Sequence, residues 1–234
     1  VLIFFSIAGF LCIENQNGFT GEILGSGKKL YSQHDEELII RDFFNDRKGG
    51  IFLDVGCADY KIDSTTYYLE KYLGWRGIAV DAISEFAIGY VRHRPNTRFS
   101  NFIVTDHSGG IEPFYRLINT TALSSTNENY TQKEAEYFRV PKEYQVIYVS
   151  TITLTELLEK NGISKIDFLS MDIEGGELKA LAGFNIKEFK PELICIEAAS
   201  NRDKIMDYFT RHGYERIDKY LKYDNVNWYF KPKD

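Results

Sequence analysis

Apolar residues fall into two rhythms along this chain. Short apolar runs at Ile51 to Leu53, Ile78 to Val80, Phe99 to Val104, Ile166 to Met171 and Leu193 to Ile196 predict strands buried on both faces. Between them, apolar positions recur at helical spacing: Leu38, Ile39, Phe43 and Phe44, then Leu69, Tyr72 and Leu73, then Leu154, Leu157 and Leu158. Punctuation supports the helices. Ser32 and the acids Asp35 to Glu37 suit the start of the first, and Gly49-Gly50 its end. The others are predicted from Ser64 to Gly74, from about Ser84 to His93, from Thr153 to Asn161, over Glu177 to Ala182, and from a Ser200 cap through Phe209. Thr153 with Glu156 forms a capping box.

Strands alternating with helices imply an α/β fold, a mostly parallel sheet with right-handed crossovers and helices on both faces. The last two runs, Tyr214 to Ile217 and Val226 to Phe230, have no predicted helix between them and read as an antiparallel hairpin. Residues 31–234 are expected to form a single domain. Asn119 to Gln145 is polar without a sustained period, and reads as a lid or substrate loop inserted in it. Residues 14–29 hold four glycines and read as a linker.

Composition changes this picture in a few places. A net charge of -6 argues against nucleic acid as a partner, because a phosphate backbone calls for a basic face. Cys12, Cys57 and Cys195 are far apart and show neither a disulfide framework nor zinc spacing. Cys57 and Cys195 fall in strand contexts, where a free cysteine behaves as a small hydrophobe. Apart from Ser6 and Gly9, every residue from Val1 to Ile13 is apolar. That segment is too short to span a bilayer, which needs ~20 residues. It is expected to belong to a signal or signal anchor rather than a buried strand, with membrane association through it; without that role the protein is expected in the cytoplasm. Asn119-Thr120-Thr121 and Asn129-Tyr130-Thr131 are glycosylation triplets.

The candidate chemistry gathers where strands end. Ile51-Phe52-Leu53-Asp54-Val55-Gly56 is a strand running into a turn with one glycine, flanked by Asp54 and Asp59. A pyrophosphate normally takes several glycines and a helix N-terminus, so the acids favour a ligand with a cationic end. A plain structural turn remains the alternative. Asp81, Asp106, Asp172 and Glu197 end the other strands, so up to five carboxylates could line one crevice, unless each caps the following helix. Asp81 is placed for ribose hydroxyls. Asp172 and Glu174 lie two apart, on one side of an extended chain. They can act as a general base, orient a substrate or hold a divalent ion, and the spacing does not choose among these. His34 and His107 are further candidate bases, each more ordinarily a surface or capping residue.

At these residues the chain resembles the FkbM family of S-adenosylmethionine-dependent methyltransferases. The segment Ile166-Asp-Phe-Leu-Ser-Met-Asp-Ile-Glu-Gly-Gly-Glu177, running to Leu181 and Gly183-Phe184, carries the likeness. Ser32-Gln33 with Glu36, Asp54-Val-Gly, Thr66 with Leu69-Glu70, Trp75-Arg-Gly and Leu123-Ser124-Ser125 follow the family in order. The resemblance implies a Rossmann-like seven-stranded class I methyltransferase sheet with an antiparallel C-terminal strand. It implies S-adenosylmethionine held by Gln33, Glu36, Asp54, Gly56, Cys57, Asp59, Thr66, Asp81, Thr105, Asp106 and Asp172, and catalysis by Asp172, Glu174 and His34. The reaction it implies is O-methylation of a hydroxyl on a sugar, glycan or small natural product. Two departures stand out. Tyr60 follows Asp59 where a glycine is usual and is expected to narrow the pocket, and Asp81-Ala82 replaces Glu-Pro. Two other classes stay open, a non-catalytic binding or membrane-associated relative and an NAD-dependent oxidoreductase. The single-glycine turn disfavours the second.

Overall fold

The computed structural model describes residues 30–233. The apolar segment 1–13, the linker over 14–29 and Cys12 lie outside the described residues. The strands are β1 (Ile51–Val55), β2 (Arg76–Asp81), β3 (Thr97–Asn101), β4 (Ile103–Val104), β5 (Ile111–Leu117), β6 (Tyr144–Ile152), β7 (Phe168–Met171), β8 (Leu193–Glu197), β9 (Tyr214–Arg216) and β10 (Asn227–Pro232). The helices are α1 (Glu36–Phe44), α2 (Tyr67–Leu73), α3 (Ala87–His93), α4 (Glu128–Tyr137), α5 (Leu154–Lys160), α6 (Glu177–Ala182), α7 (Ile186–Phe189) and α8 (Arg202–Arg211).

Seven strands form the main sheet in the order β3-β2-β1-β7-β8-β10-β9. β3, β2, β1, β7 and β8 pair in parallel, whereas β10 is antiparallel to both β8 and β9. The expected architecture is therefore present, with the C-terminal hairpin at one edge. From β1 the chain builds outward through β2 to β3, then returns to β1's other side at β7. This reversal is the switch point where a crevice opens beyond the strand ends.

Alternation along each strand feeds two apolar layers. Leu53, Val55, Ile78, Val80, Leu169 and Met171 pack with Leu157, Leu181 and Phe209 of α5, α6 and α8. Phe52, Phe168, Leu193 and Cys195 pack with Ile39, Tyr68, Leu69 and Trp75 on the α1 and α2 side. No helix among the described residues is long and apolar enough to cross a membrane.

Three local expectations are corrected. The third strand is not continuous from Phe99 to Val104. It breaks at Phe102, and β4 leaves the main sheet to pair with β6 in a second sheet ordered β4-β6-β5. In that sheet β5 is an edge strand, where Pro113 costs no ladder hydrogen bond. The polar segment 119–145 holds α4, begun by Asn127, whose side chain accepts from Tyr130 N at 3.2 Å. Ser200 does not cap α8; Asn201 precedes the helix with φ +55° and no side-chain cap.

Candidate active site

β1 and β7 lie side by side with Val55 opposite Met171. Beyond them Gly56 takes φ +78°, and a Cβ there would lie 1.7 Å from the carbonyl oxygen of Asp172. The neighbouring strand therefore imposes this glycine, rather than a ligand resting on the main chain. Gly56 N donates to Val80 O at 2.9 Å and Asp172 N to Val55 O at 3.0 Å, so three strand ends are tied together. Asp81 then holds the turns beyond. Its carboxylate accepts from Ala58 N at 3.0 Å and from Ile83 N at 2.8 Å. A carboxylate offers about four lone-pair sites, so further ones stay open.

Behind this floor stands a buried polar truss. Thr66 donates to Asp54 at 2.7 Å, and Arg94 Nη2 donates to Thr66 Oγ1 at 3.1 Å. Arg94 Nη1 also donates to Tyr60 O at 2.9 Å, and Arg94 pairs with the buried Glu70, which accepts from Asn96 N at 2.9 Å as well. The arginine thus ties the middle of the loop between β1 and α2 to its end at Thr66. Removing one member would strand a buried charge.

Acids crowd the ends of β7 and β8. Asp172 is solvent-exposed through the cleft mouth and otherwise surrounded by protein, so desolvation still raises its pKa. It does not cap α6, whose N-cap is Gly176 without a side-chain bond. Glu177 instead accepts from Ile173 N at 3.1 Å and Gly175 N at 3.3 Å. Glu197 is buried and ends β8 beside Asp172, since Met171 lies opposite Ile196. Segment 119–145 lies against this group. Ser125 Oγ donates to Glu174 O at 2.8 Å, and the Tyr130 ring would come within 3.1 Å of a Cβ at Gly175.

A cleft open to solvent joins these parts. Its lining combines apolar Ile83, Phe86, Phe102, Val104 and Phe114 with the acids Asp81, Asp172 and Glu174. Thr121, Ala122, Ser124 and Thr126 also line it.

The sequence-predicted residues divide accordingly. Gly56, Asp81, Asp172 and Glu174 line the cleft, whereas Asp54, Cys57 and Thr66 are buried and absent from its lining. Gln33 and His34 are exposed and do not line it, although the charge of His34 favours ionised Asp172. Glu36 is buried, accepting from His34 N at 2.6 Å and Asn227 Nδ2 at 3.2 Å, and burial lifts its pKa to about 8. Asp59 closes its own turn by accepting from Lys61 N and Ile62 N at 2.9 and 2.8 Å. Thr105 and Asp106 do not reach the cleft wall, because the break at Phe102 carries them off the main sheet. Thr105 is buried, and exposed Asp106 bonds His107 Nδ1 at 2.8 Å. Tyr60 does not narrow the pocket; it stacks on His93 with centroids 4.6 Å apart. Sequence reasoning missed Phe86, Phe102 and Phe114, which are apolar among apolar neighbours, and Tyr130, in a segment without a period. Among the described residues no group of three or more His, Cys, Asp or Glu side chains stands ready for a metal ion.

A dinucleotide reading meets an obstacle here. α2 begins at Tyr67, well after Gly56, so no helix N-terminus follows the β1 turn directly to receive a pyrophosphate. Residues 54–216 match the family described as the Methyltransferase FkbM domain, well over half of the chain. The chain belongs to the FkbM methyltransferase family. The matched span contains Asp54, Asp81, Asp172, Glu174 and Glu197. Similar solved structures include a TehB-like SAM-dependent methyltransferase from Corynebacterium glutamicum, at 12% identity over 86% of this chain and 89% of that one, with TM-score 0.48. Methyltransferase FkbM from Methylobacillus flagellatus matches at 14% identity over 80% of this chain and 44% of that one, with TM-score 0.45. The 1,6-didemethyltoxoflavin-N1-methyltransferase of Burkholderia thailandensis matches at 12% identity over 85% and 77%, with TM-score 0.43. No curated protein matches the sequence.

The acids of this FkbM domain give it a characteristic pH dependence. Burial pushes Asp54 and Asp81 up to about 6 and Glu177 up to about 7, against unfolded values near 4. The folded state therefore binds more protons than the unfolded one between these limits. Their stabilising contribution is complete below about pH 4 and is lost as the pH rises through 6 to 7. The Tm of the ligand-free domain is expected to fall from pH 5 to 8 in scanning fluorimetry. A Tm climbing steadily across that interval would contradict the assignment.

Proposed function

We propose that this domain transfers a methyl group from S-adenosylmethionine to a hydroxyl of a sugar, glycan or small natural product. Family membership supplies methyl transfer. One observation carries the rest: the cleft combines an apolar lining with the acids Asp81, Asp172 and Glu174 and the Gly56 turn. That donor set fits the cofactor. Asp81 has lone pairs to spare for ribose hydroxyls, the apolar lining suits an adenine, and Asp172 and Glu174 suit cationic ammonium and sulfonium groups. When bound, the cofactor supplies an electrophilic methyl.

The protein's own residues then position and deprotonate. Segment 121–126 holds the acceptor over the acids, where orientation supplies much of the rate. Asp172 lies at the mouth, where an acceptor hydroxyl can reach it, and takes the hydroxyl proton as general base, a role worth ~10²–10⁴-fold. Glu174 faces the same cleft and orients the acceptor.

Asp81→Ala is expected to weaken S-adenosylmethionine binding about 10- to 100-fold, since each bond to a charged group is worth ~1.5–3 kcal/mol. Calorimetry checks this, and parent-like affinity would remove the ribose assignment. Segment 119–137 is expected to exchange amide hydrogens quickly in the free protein and slowly with cofactor and acceptor bound. Full protection without ligands would argue against a lid. The function itself is tested with methyl-labelled S-adenosylmethionine and a panel of sugars, glycans and phenols. Label should appear on an acceptor oxygen; transfer to nitrogen or carbon alone would replace this reading.

A further inference from the structure

We propose that Glu197 keeps its carboxyl protonated and donates that proton in a hydrogen bond to Asp172, holding Asp172 ionised as the acceptor of the substrate's proton. The inference rests on the reading of Asp172 as the base. In the parallel pairing of β7 and β8, Met171 lies opposite Ile196, so the next residues, Asp172 and Glu197, leave adjacent strand ends together. Register neighbours on parallel strands point to the same face, so the two carboxyls face each other's surroundings, and each bears on the other's ionisation. Two ionised carboxylates hold no donor, so a hydrogen bond between them takes one proton. Adjacent like charges cannot both ionise at neutral pH.

Surroundings decide which residue holds the proton. Glu197 is 8% exposed, and β10 covers it with Asn227 in register. The charges acting on it come from Asp172, from Glu177 of α6 and from Glu134 of α4, all acids, with Tyr130 of α4 also near. Glu174 lies in reach as a further acid. Burial and these acids lift Glu197 to about 10. Asp172 opens to the cleft. It feels Asp224, which disfavours its charge, but also His34, which favours it. The proton therefore resides on Glu197, and Asp172 carries the charge.

This makes Glu197 a positioning residue. In turnover the acceptor O–H bond breaks and its proton passes to Asp172. The acceptor oxygen gains the methyl as the carbon–sulfur bond breaks, leaving a neutral thioether. Asp172 returns its proton to water through the cleft mouth, and Glu197 keeps its own throughout. At alkaline pH Glu197 ionises, the hydrogen bond is lost, and the two anions repel.

Carbon-13 NMR of the full chain labelled at the glutamate side-chain carboxyl tests this first. At pH 7.5, besides other buried glutamates such as Glu36, one protonated glutamate is expected that titrates well above neutrality and is missing from Glu197→Gln. Finding no protonated signal that the glutamine variant removes overturns the proposal. Turnover gives the second reading. Glu197→Leu should lose about 10- to 100-fold in kcat, as expected for a lost hydrogen bond to a charged group. Glu197→Gln keeps a donor in the same shape, so it should recover most of that loss and abolish the alkaline fall of kcat. A glutamine variant as impaired as the leucine variant overturns the proposal. Failure of the base reading shows separately: Asp172→Asn with full turnover, while the Glu197 proton is still detected, overturns the catalytic half alone.

Discussion

Replacing Asp172 with asparagine is expected to lower kcat at saturating cofactor at least ~100-fold while leaving the Tm almost unchanged. The substitution keeps size and much of the hydrogen bonding but removes charge and basicity. Capping cannot explain such a loss. Asp172 makes no cap bond to α6, and Glu177 bonds the loop N–H groups of Ile173 and Gly175 ahead of that helix. Asparagine would also cap as well as aspartate does. Steady-state kinetics on a true acceptor, with calorimetry for the cofactor, separate the two terms. An Asp172→Asn domain with parent-like kcat would leave the acid cluster without a catalytic member.

The second large effect is on folding. Gly56→Ala is expected to destabilise the domain by roughly 2–5 kcal/mol. About 1–2 comes from a left-handed backbone and about 1–3 from overpacking. The clash is with main chain: the added Cβ would stand 1.7 Å from the carbonyl of Asp172 and 3.0 Å from Ile173 Cγ2. Relief requires moving the end of β7 away from β1, which pulls Asp172 out of place. For a domain of this size the Tm should fall by about 5–20 °C. A thermal shift near zero would mean that the strand ends part without cost.

Much of this arrangement was legible beforehand, and the reason is physical. β1, β2, β7 and β8 are buried on both faces, so their apolar runs stand out against the chain around them. Their acidic ends, Asp54, Asp81, Asp172 and Glu197, followed from where those runs stop. The hairpin of β5 and β6 left no such trace. It is half covered, and its outward positions include Ile111 and Tyr148 at 69% and 74% exposure, so no clean alternation survives. Pro113, Glu112 and Arg116 further disguise β5 as loop. Asp106 was placed at the crevice because Phe99 to Val104 reads as one strand. Only the structure reveals the break at Phe102, where the backbone N–H donates to Asp81 O at 3.1 Å.

The supporting residues were hidden for a different reason. Arg94 sits beside Pro95 at the end of α3, a position that reads as punctuation. Its bonds to Thr66 and Tyr60 span 28 and 34 residues of sequence, and no local pattern announces them. Tyr130 belongs to a helix whose face is mostly polar, and its role comes from lying against Gly175. Gly56 was singled out correctly as a special position, but its cause lies across the sheet at Asp172.

The central claim is that the acidic, single-glycine crevice takes a cationic nucleoside cofactor. Its most direct test is a parallel calorimetric titration of the full chain with S-adenosylmethionine and with NAD at pH 7.5. One equivalent of S-adenosylmethionine should bind with micromolar or tighter affinity, and more tightly at pH 8 than at pH 6 as the cleft carboxyls ionise. NAD should give no heat. Saturable binding of NAD, or silence toward both, would contradict the account.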